Sequence, residues 1–260
     1  KVYALSKDVK FYENKKKFYL IKNSKNLDLS KVSFILMRQN PPFNIDYITA
    51  TFLLEKISNK TQIINDPCAV RNMPEKLYSI DFLKLMPPTI FTRSVYEIEK
   101  FKNRYKKIVI KPTHGYGGKN IFFVNKETKK KQISRYLRKH EHVMVQKFLP
   151  QIKNGDKRIF VINGIVKGAI RRIPKKGSIV SNLGQGGKAV KTKLTQRELN
   201  IAKQIATLLK KNNILFAGID LISGYLTGDI NVTSPTGLKN FKDLTGKDLS
   251  INIWNCLEKI

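Results

Sequence analysis

Gly218-Ile219-Asp220-Leu221-Ile222-Ser223-Gly224-Tyr225-Leu226-Thr227-Gly228-Asp229-Ile230-Asn231-Val232-Thr233-Ser234-Pro235-Thr236 is two apolar runs around a Ser-Gly pair, with oxygen-bearing side chains set into both runs. Side chains alternate across a strand, so Asp229 and Asn231 share a face. Ser223-Gly224 has the chemistry of a two-residue hairpin turn. Closed on that turn, the hairpin sets Asp220 opposite Thr227, and parity gathers Asp220, Asp229 and Asn231 on one face. A bulge at Gly228 would change this register. Two carboxylates and an amide on one face suit Mg²⁺, which takes carboxylates together with substrate phosphates.

Working outward, 260 residues with 41% hydrophobic and 27% charged content are enough for two or three lobes of an α/β protein. No apolar run reaches the length of a membrane span and no signal peptide is visible. The chain opens on Lys1 rather than Met, so an incomplete N-terminal edge is expected. Cys68 and Cys256 form no metal-binding or redox pair, and a reducing cytoplasm is the expected compartment. His114, His140 and His142 are too scattered for a zinc motif.

The formal net charge of +31 raises a nucleic-acid or membrane partner. Against it, the charge is mostly Lys spread through the chain, and only Lys15-Lys16-Lys17 and Lys129-Lys130-Lys131 form runs. Arg, the residue of bidentate phosphate and base readout, is scarce. Compositional drift is the favoured explanation, with attraction of anionic substrates as a by-product.

Residues 2–5, 18–21 and 32–37 are expected strands, and residues 47–56 an amphipathic helix with Tyr47, Ala50, Thr51, Leu54 and Ile57 near one face. Pro41 and Pro42 keep the intervening segment a loop. Further strands are expected at 63–65, 89–92, 107–111, 121–124 and 143–148. Helices are expected at 70–72, 76–85, 95–105, 126–140 and 196–211. Asn163-Gly164 turns a hairpin between strands at 157–162 and 165–170. Residues 174–188 have no periodicity and read as a long mobile loop, either a lid that excludes water or a plain connector.

Several segments carry candidate chemistry. Lys111 ends a strand and is followed by a glycine-rich turn with Gly115, Gly117 and Gly118, whose amides can cradle phosphate. The strand after it makes this a hairpin rather than a P-loop, and a plain glycine hairpin is the alternative. Lys147-Phe148-Leu149 leaves a strand, where free backbone groups suit an adenine; an ordinary strand end is the competing reading. Arg158 and Arg172 have the geometry to grip carboxylate or phosphate bidentately, or are surface residues.

The order of these parts is more telling than any one of them. Ile35-Leu36-Met37-Arg38-Gln39-Asn40-Pro41-Pro42-Phe43, Ile64-Asn65-Asp66-Pro67, Glu75-Lys76-Leu77, Tyr116-Gly117-Gly118, Gly155-Asp156-Lys157-Arg158, Arg172-Ile173-Pro174, Asn182-Leu183, Gly186-Gly187 and Asp229-Ile230-Asn231-Val232-Thr233-Ser234-Pro235-Thr236 follow one another in a pattern that resembles the ATP-grasp superfamily and, within it, the bacterial glutathione synthetases. The resemblance implies a Rossmann-like substrate lobe at 1–74, a small lid lobe at 75–148 and a central lobe at 149–260. It implies ATP and Mg²⁺ (or Mn²⁺) as cofactors, and γ-glutamylcysteine and glycine as substrates. It also implies a homotetramer with no specific nucleic-acid or membrane partner.

Under that resemblance, Lys76 and Lys111 contact ATP phosphates beside the glycine turn, and residues 147–149 form the adenine hinge. Asp220, Asp229 and Asn231 hold the metal. Arg158 and Arg172 bind the substrate carboxylate or the transferring phosphate. Asn182, Gly186, Gly187, Ser234, Pro235 and Thr236 line the peptide site. Three departures stand out. Asp229 replaces the family's Glu, Val180-Ser181 replaces a frequent Arg-Gly, and the family's usual first strand and helix are expected to be missing from the N-terminal lobe. The alternatives are an ATP-grasp ligase with another acid and amine, and a degenerate or basic nucleic-acid-binding protein.

Overall fold

The computed structural model describes residues 1–12 and 18–259, so the Lys15-Lys16-Lys17 run lies outside the described residues. The fold is mixed α/β with four sheets. An antiparallel ribbon pairs β1 (Tyr3–Phe11) with β2 (Tyr19–Asp28), both longer than expected from sequence. A short parallel pair joins β3 (Phe34–Leu36) to β4 (Gln62–Ile64) across α1 (Ile45–Glu55). Asn44 caps α1 by accepting from the Tyr47 amide, and the helix buries Tyr47, Thr51 and Leu54 as its periodicity requires. After α2 (Pro67–Asn72), the expected helix over 76–85 is a kinked 3-10 segment, Tyr78–Leu85.

The next sheet has the order β5 (Thr89–Thr92), β8 (Val143–Lys147), β6 (Ile108–Pro112), β7 (Phe122–Val124). On one face, Ile108, Ile110, Val143 and Val145 pack beneath α3 (Val95–Tyr105) and α4 (Lys130–His140). Alternation sends Val109, Lys111 and Gln146 to the opposite face, toward a cavity.

A five-stranded antiparallel sheet carries the larger core. Its order is β11 (Lys188–Lys191), β10 (Ile165–Ile173), β9 (Asp156–Ile162), β12 (Phe216–Ile222), β13 (Tyr225–Asn231). Central strand β9 is buried throughout. Ile159 and Val161 face α5 (Gln196–Lys211), with Ile201, Ile205 and Leu209. Phe160 and Ile162 lie under α6 (Leu238–Thr245) and α7 (Leu249–Leu257). Asp156 and Arg158 share the face of Phe160, but neither helix covers that end of the strand. The same face therefore changes from apolar core to charged cavity wall along one strand. Among the described residues, no helix is long and apolar enough to cross a membrane.

The hairpin of β12 and β13 begins as the Ser-Gly turn dictates, with Ile222 opposite Tyr225 and Leu221 opposite Leu226. The register then shifts, and Ile219 pairs with Ile230. The irregularity falls at Gly228, whose φ of 91° suits glycine. A Cβ there would meet Met144 Cε at 2.6 Å. The shift inserts two residues, so parity survives, and Asp220, Asp229 and Asn231 all line the cavity.

Candidate active site

The two larger sheets enclose a cavity of about 450 Å³, within the range of small-molecule sites. Its floor is a network of charges. Asp220 lies opposite Arg158 in the β12–β9 register, and Arg172 opposite Asp156 in the β10–β9 register. Arg158 donates to both Asp220 oxygens, Nη2 at 2.9 Å. Arg172 donates from Nε to Asp156 at 2.8 Å and reaches Asp220 at 2.7 Å. Burial would raise the Asp220 pKa, but the two guanidinium groups outweigh it and hold the carboxyl well below its ordinary value. Asp156 moves the other way, because burial exceeds the pull of Arg172.

One donor in this network is left over. Arg158 is 3% exposed, and its Nη1 is buried without a hydrogen-bond partner. A buried guanidinium nitrogen costs free energy unless an anion meets it. Gly218 makes the room for this side chain, since a Cβ there would lie 2.9 Å from Arg158 Cδ.

A second cluster centres on Asp229. Lys76 Nζ lies 3.0 Å from one Asp229 oxygen and donates at 2.6 Å to the Gly115 carbonyl. Lys111 Nζ lies 3.9 Å from the other oxygen and donates to the Thr227 carbonyl at 2.9 Å and to Gln146 at 3.3 Å. Burial would depress Lys76, yet Asp229 and Glu75 hold its ammonium above the ordinary value. Lys111 is shifted down, because burial exceeds the help from Asp229. Burial pushes the Glu75 carboxyl up to about 7 against the pull of Lys76.

Asn231 completes the expected trio. Its side-chain oxygen accepts from the Ser234 amide at 3.1 Å and the Thr233 hydroxyl at 3.3 Å. Among the described residues there is no group of three or more His, Cys, Asp or Glu able to hold a metal. Asp229, Asn231 and Asp220 are nevertheless hard oxygen donors lining one cavity. They fit a divalent cation that takes its remaining ligands from phosphate. Asp220 would have to release a guanidinium contact to take part.

The rest of the wall is shared. Gly115, Gly117, Gly118, Lys147, Phe148 and Leu149 line it, as do Asn182, Ser234 and Thr236. The hinge differs from expectation. The Lys147 and Phe148 amides donate to the Pro88 and Lys107 carbonyls, because neighbouring strands extend past the strand end. Among the described residues, only the Leu149 amide of the three has no protein partner. Gly186, Gly187 and Pro235 are outside the wall. Gly187 sits against the Ser181 carbonyl and lets the loop fold on itself, and the Pro235 carbonyl accepts from Arg38 at 2.9 Å.

The 174–188 loop packs as a cover. Residues 179–184 line the cavity, and Ser181 is buried beside Asp156. Val180 fills the space left by the missing Cβ of Gly118, joining the loop to the glycine turn. Val180→Ala is expected to speed proteolytic nicking within 174–188 by several-fold, on the order of 1 kcal/mol of lost packing. Limited proteolysis with mass mapping checks this, and an unchanged rate would show that Val180 does not hold the loop.

This layout recurs in known proteins. The model of the prokaryotic glutathione synthetase ATP-grasp domain matches residues 75–246, and that of the N-terminal domain of the same enzymes matches residues 1–71. The chain belongs to the prokaryotic glutathione synthetase family. The glutathione synthetase of Rhodopseudomonas palustris is 41% identical over 237 residues, covering 89% of this chain and 75% of that protein. That of Agrobacterium fabrum is 38% identical over 264 residues, covering 100% and 82%. In structure, the chain is similar to D-alanyl-alanine synthetase A from Vibrio cholerae, at TM-score 0.65 and 14% identity, covering 94% and 85%. It is also similar to the D-cycloserine synthetase DcsG, at TM-score 0.64 and 17% identity, covering 80% and 78%. At such identities these two share the fold alone.

Within this family frame, sequence reasoning missed Glu75, Asp156, Gln146, Ser181 and Gly218 as parts of the site. Gly218 left a signal, a glycine inside a strand that is apolar apart from Asp220, and Asp156 a weaker one, a carboxylate opening a strand two residues before Arg158. Gln146 and Ser181 left none, because only strand order and loop packing bring them in.

Proposed function

We propose that the chain uses ATP to phosphorylate the C-terminal carboxylate of γ-glutamylcysteine and transfers the acyl group to the amine of glycine, giving glutathione, ADP and phosphate. The observation that carries this reading is the unpartnered Arg158 Nη1, buried in a cavity wall where Lys76, Lys111 and Asp229 also converge. That arrangement suits an oxyanion that gains charge during transfer. Membership of a family of ATP-dependent ligases supplies the nucleotide and a divalent metal.

Each residue has a role in this reading. Lys76 and Lys111 turn from Asp229 to the nucleotide phosphates, and the glycine turn at 115–118 cradles them. The Leu149 amide, with Lys147 and Phe148, receives the adenine. Asp229, Asn231 and Asp220 would hold the metal, with Mg²⁺ the proposed ion and Mn²⁺ a substitute; it would supply charge neutralisation at the phosphates. Arg158 binds the transferring group through Nη1. Arg172 positions Asp220 and Asp156, and so holds Arg158 in place. Asn182, Ser234 and Thr236 contact the peptide, and the 174–188 loop keeps water from the acyl phosphate. Positioning and electrostatics therefore account for catalysis without a covalent enzyme intermediate.

The proposed lobes are 1–74 for substrate, 75–148 as a lid and 149–260 for metal and peptide. The proposed assembly is a homotetramer, as the family resemblance suggests; the cytoplasm is proposed from the cysteine usage, and no specific nucleic-acid partner from the scarcity of Arg. The test is phosphate release with ATP and Mg²⁺, with the product identified by mass spectrometry. Release that needs both γ-glutamylcysteine and glycine, with glutathione formed, is expected. Turnover confined to another acid–amine pair would overturn the substrates. Salt-dependent polynucleotide binding without ADP release would overturn the enzyme.

A further inference from the structure

Among the described residues, four carboxylates line the main cavity: Glu75, Asp156, Asp220 and Asp229. Three are committed, Asp156 and Asp220 to arginines and Asp229 to lysines. Among the described residues, the Glu75 carboxylate takes part in no hydrogen bond or ion pair. Its backbone is fixed, since its carbonyl accepts from the Ile230 amide at 3.2 Å.

Glu75 also lines a small side chamber of about 30 Å³, with Phe43, Tyr47, His114, Gly115 and Thr233. Glu75, Gly115 and Thr233 belong to both walls, so the chamber adjoins the main cavity beside the Lys76–Asp229 cluster. A second group without a hydrogen-bond partner belongs to the same wall. Tyr47 is 4% exposed, and its hydroxyl is buried without a partner. The Phe43 ring at 5.0 Å and the helical backbone of α1 hold the phenol in place. Of the other hydroxyls on its wall, Thr113 donates to the His142 carbonyl and Thr233 to Asn231, and Tyr116 lines it too.

A buried hydroxyl without a partner, beside a carboxylate that feels the Lys76 charge but makes no hydrogen bond, leaves hydrogen-bonding capacity that a ligand can fill. Charge and size define that ligand. A single carboxylate calls for a single positive charge and supplies too few oxygens for a divalent ion. The volume is roughly that of two water molecules, taking 10–15 Å³ for each. That admits an ammonium group with its attached carbon and little more.

We propose that this chamber seats the ammonium group of the amine substrate, with Glu75 as its counter-ion and the Tyr47 hydroxyl as its second hydrogen-bond partner. The assignment rests on the ligase reading above, and it makes Glu75 and Tyr47 substrate-binding residues for the acceptor. An acceptor held there lies at the edge of the charged cluster; its nitrogen gives a proton to the Glu75 carboxylate, then forms the amide bond as the acyl carbon–phosphate oxygen bond breaks and phosphate leaves. The chamber's size selects an amine on an unbranched carbon, as in glycine.

The test compares Glu75→Gln and Tyr47→Phe with the unaltered protein in steady-state turnover. The glycine KM is expected to rise about tenfold or more for Glu75→Gln and about threefold or more for Tyr47→Phe, as befits a charged and a neutral hydrogen bond. The KM for ATP should stay unchanged in both. Tyr47→Phe removes only an unpartnered oxygen, so it keeps the fold. An unchanged glycine KM in both variants, or an equal rise in the ATP KM, would overturn the assignment. If the unaltered protein does not turn over this substrate pair, the ligase substrates are wrong, and saturation-transfer NMR with methylammonium decides the chamber. A signal with the unaltered protein that is lost in Glu75→Gln supports it; no signal, or equal signals, overturns it.

Discussion

Asp229→Ala is expected to lower ADP release by about a thousandfold or more while leaving a folded protein, the scale of losing a preorganised electrostatic contact to the transferring group. Asp229 is the acid on which Lys76 and Lys111 converge, at 3.0 and 3.9 Å. It is also the most exposed carboxylate of the two ion-pair clusters, at 21%, and so the one most open to a metal. Its removal leaves two buried ammonium groups facing each other with only the weaker pull of Glu75, Asp220 and Asp156 to offset them. Lys111, already shifted down by burial, is the one that then gives up its proton most readily. Asp229→Asn keeps the shape and is expected to lose activity to a similar degree, which separates charge from packing. Steady-state ADP release beside a circular-dichroism melt checks both. Full activity in either variant would remove Asp229 from the phosphate and metal site.

Arg158→Met is expected to abolish turnover and also to cost about 3–5 kcal/mol of stability, the usual penalty for breaking a buried ion pair. The methionine fills similar space, but Asp220 is left with Arg172 alone, and Asp220 is buried. Arg158→Met combined with Asp220→Asn should recover much of the stability and none of the activity, since the uncompensated charge is gone but Nη1 is still missing. Urea unfolding at neutral pH measures the first effect. The pH dependence carries a sign. The Asp220 pKa is lower in the folded chain than the ordinary 3.8, so its contribution is complete above that value and is lost as the pH falls below it. The variant should lose part of this acid-side slope. Unaltered stability would show that the pair does not hold the sheet face together.

Much of this site can be read from the chain, and the limits are physical. The Ser223-Gly224 turn is local chemistry, so the start of the hairpin follows from sequence. The glycine marks Gly228 as the place where a bulge could fall, but that the ladder takes it there, with Met144 of another sheet packed close by, is not local information. Parity survives only because two residues are inserted rather than one. Asp220, Asp229 and Asn231 are legible as one face for the same reason that Tyr47 is legible as buried, since both follow from a short-range period. The partners of Asp220 are not legible. They depend on β9 lying between β10 and β12, an order that no local pattern specifies. The kinked 3-10 segment at Tyr78–Leu85 escapes for a related reason, because its apolar spacing is close to that of an α-helix.

Activation of the substrate carboxylate by phosphoryl transfer is the step on which every residue role above depends. The decisive measurement supplies γ-glutamylcysteine whose glycine-accepting carboxylate carries heavy oxygen, and follows the label into inorganic phosphate during turnover with ATP and glycine. Attack of that carboxylate on the γ-phosphoryl group, then displacement of phosphate by the amine, must leave one labelled oxygen in each phosphate released. Phosphate carrying that single label is the predicted result. Unlabelled phosphate accompanying glutathione formation, or release of pyrophosphate in its place, would contradict the acyl-phosphate route and the role given to Arg158, Lys76 and Lys111.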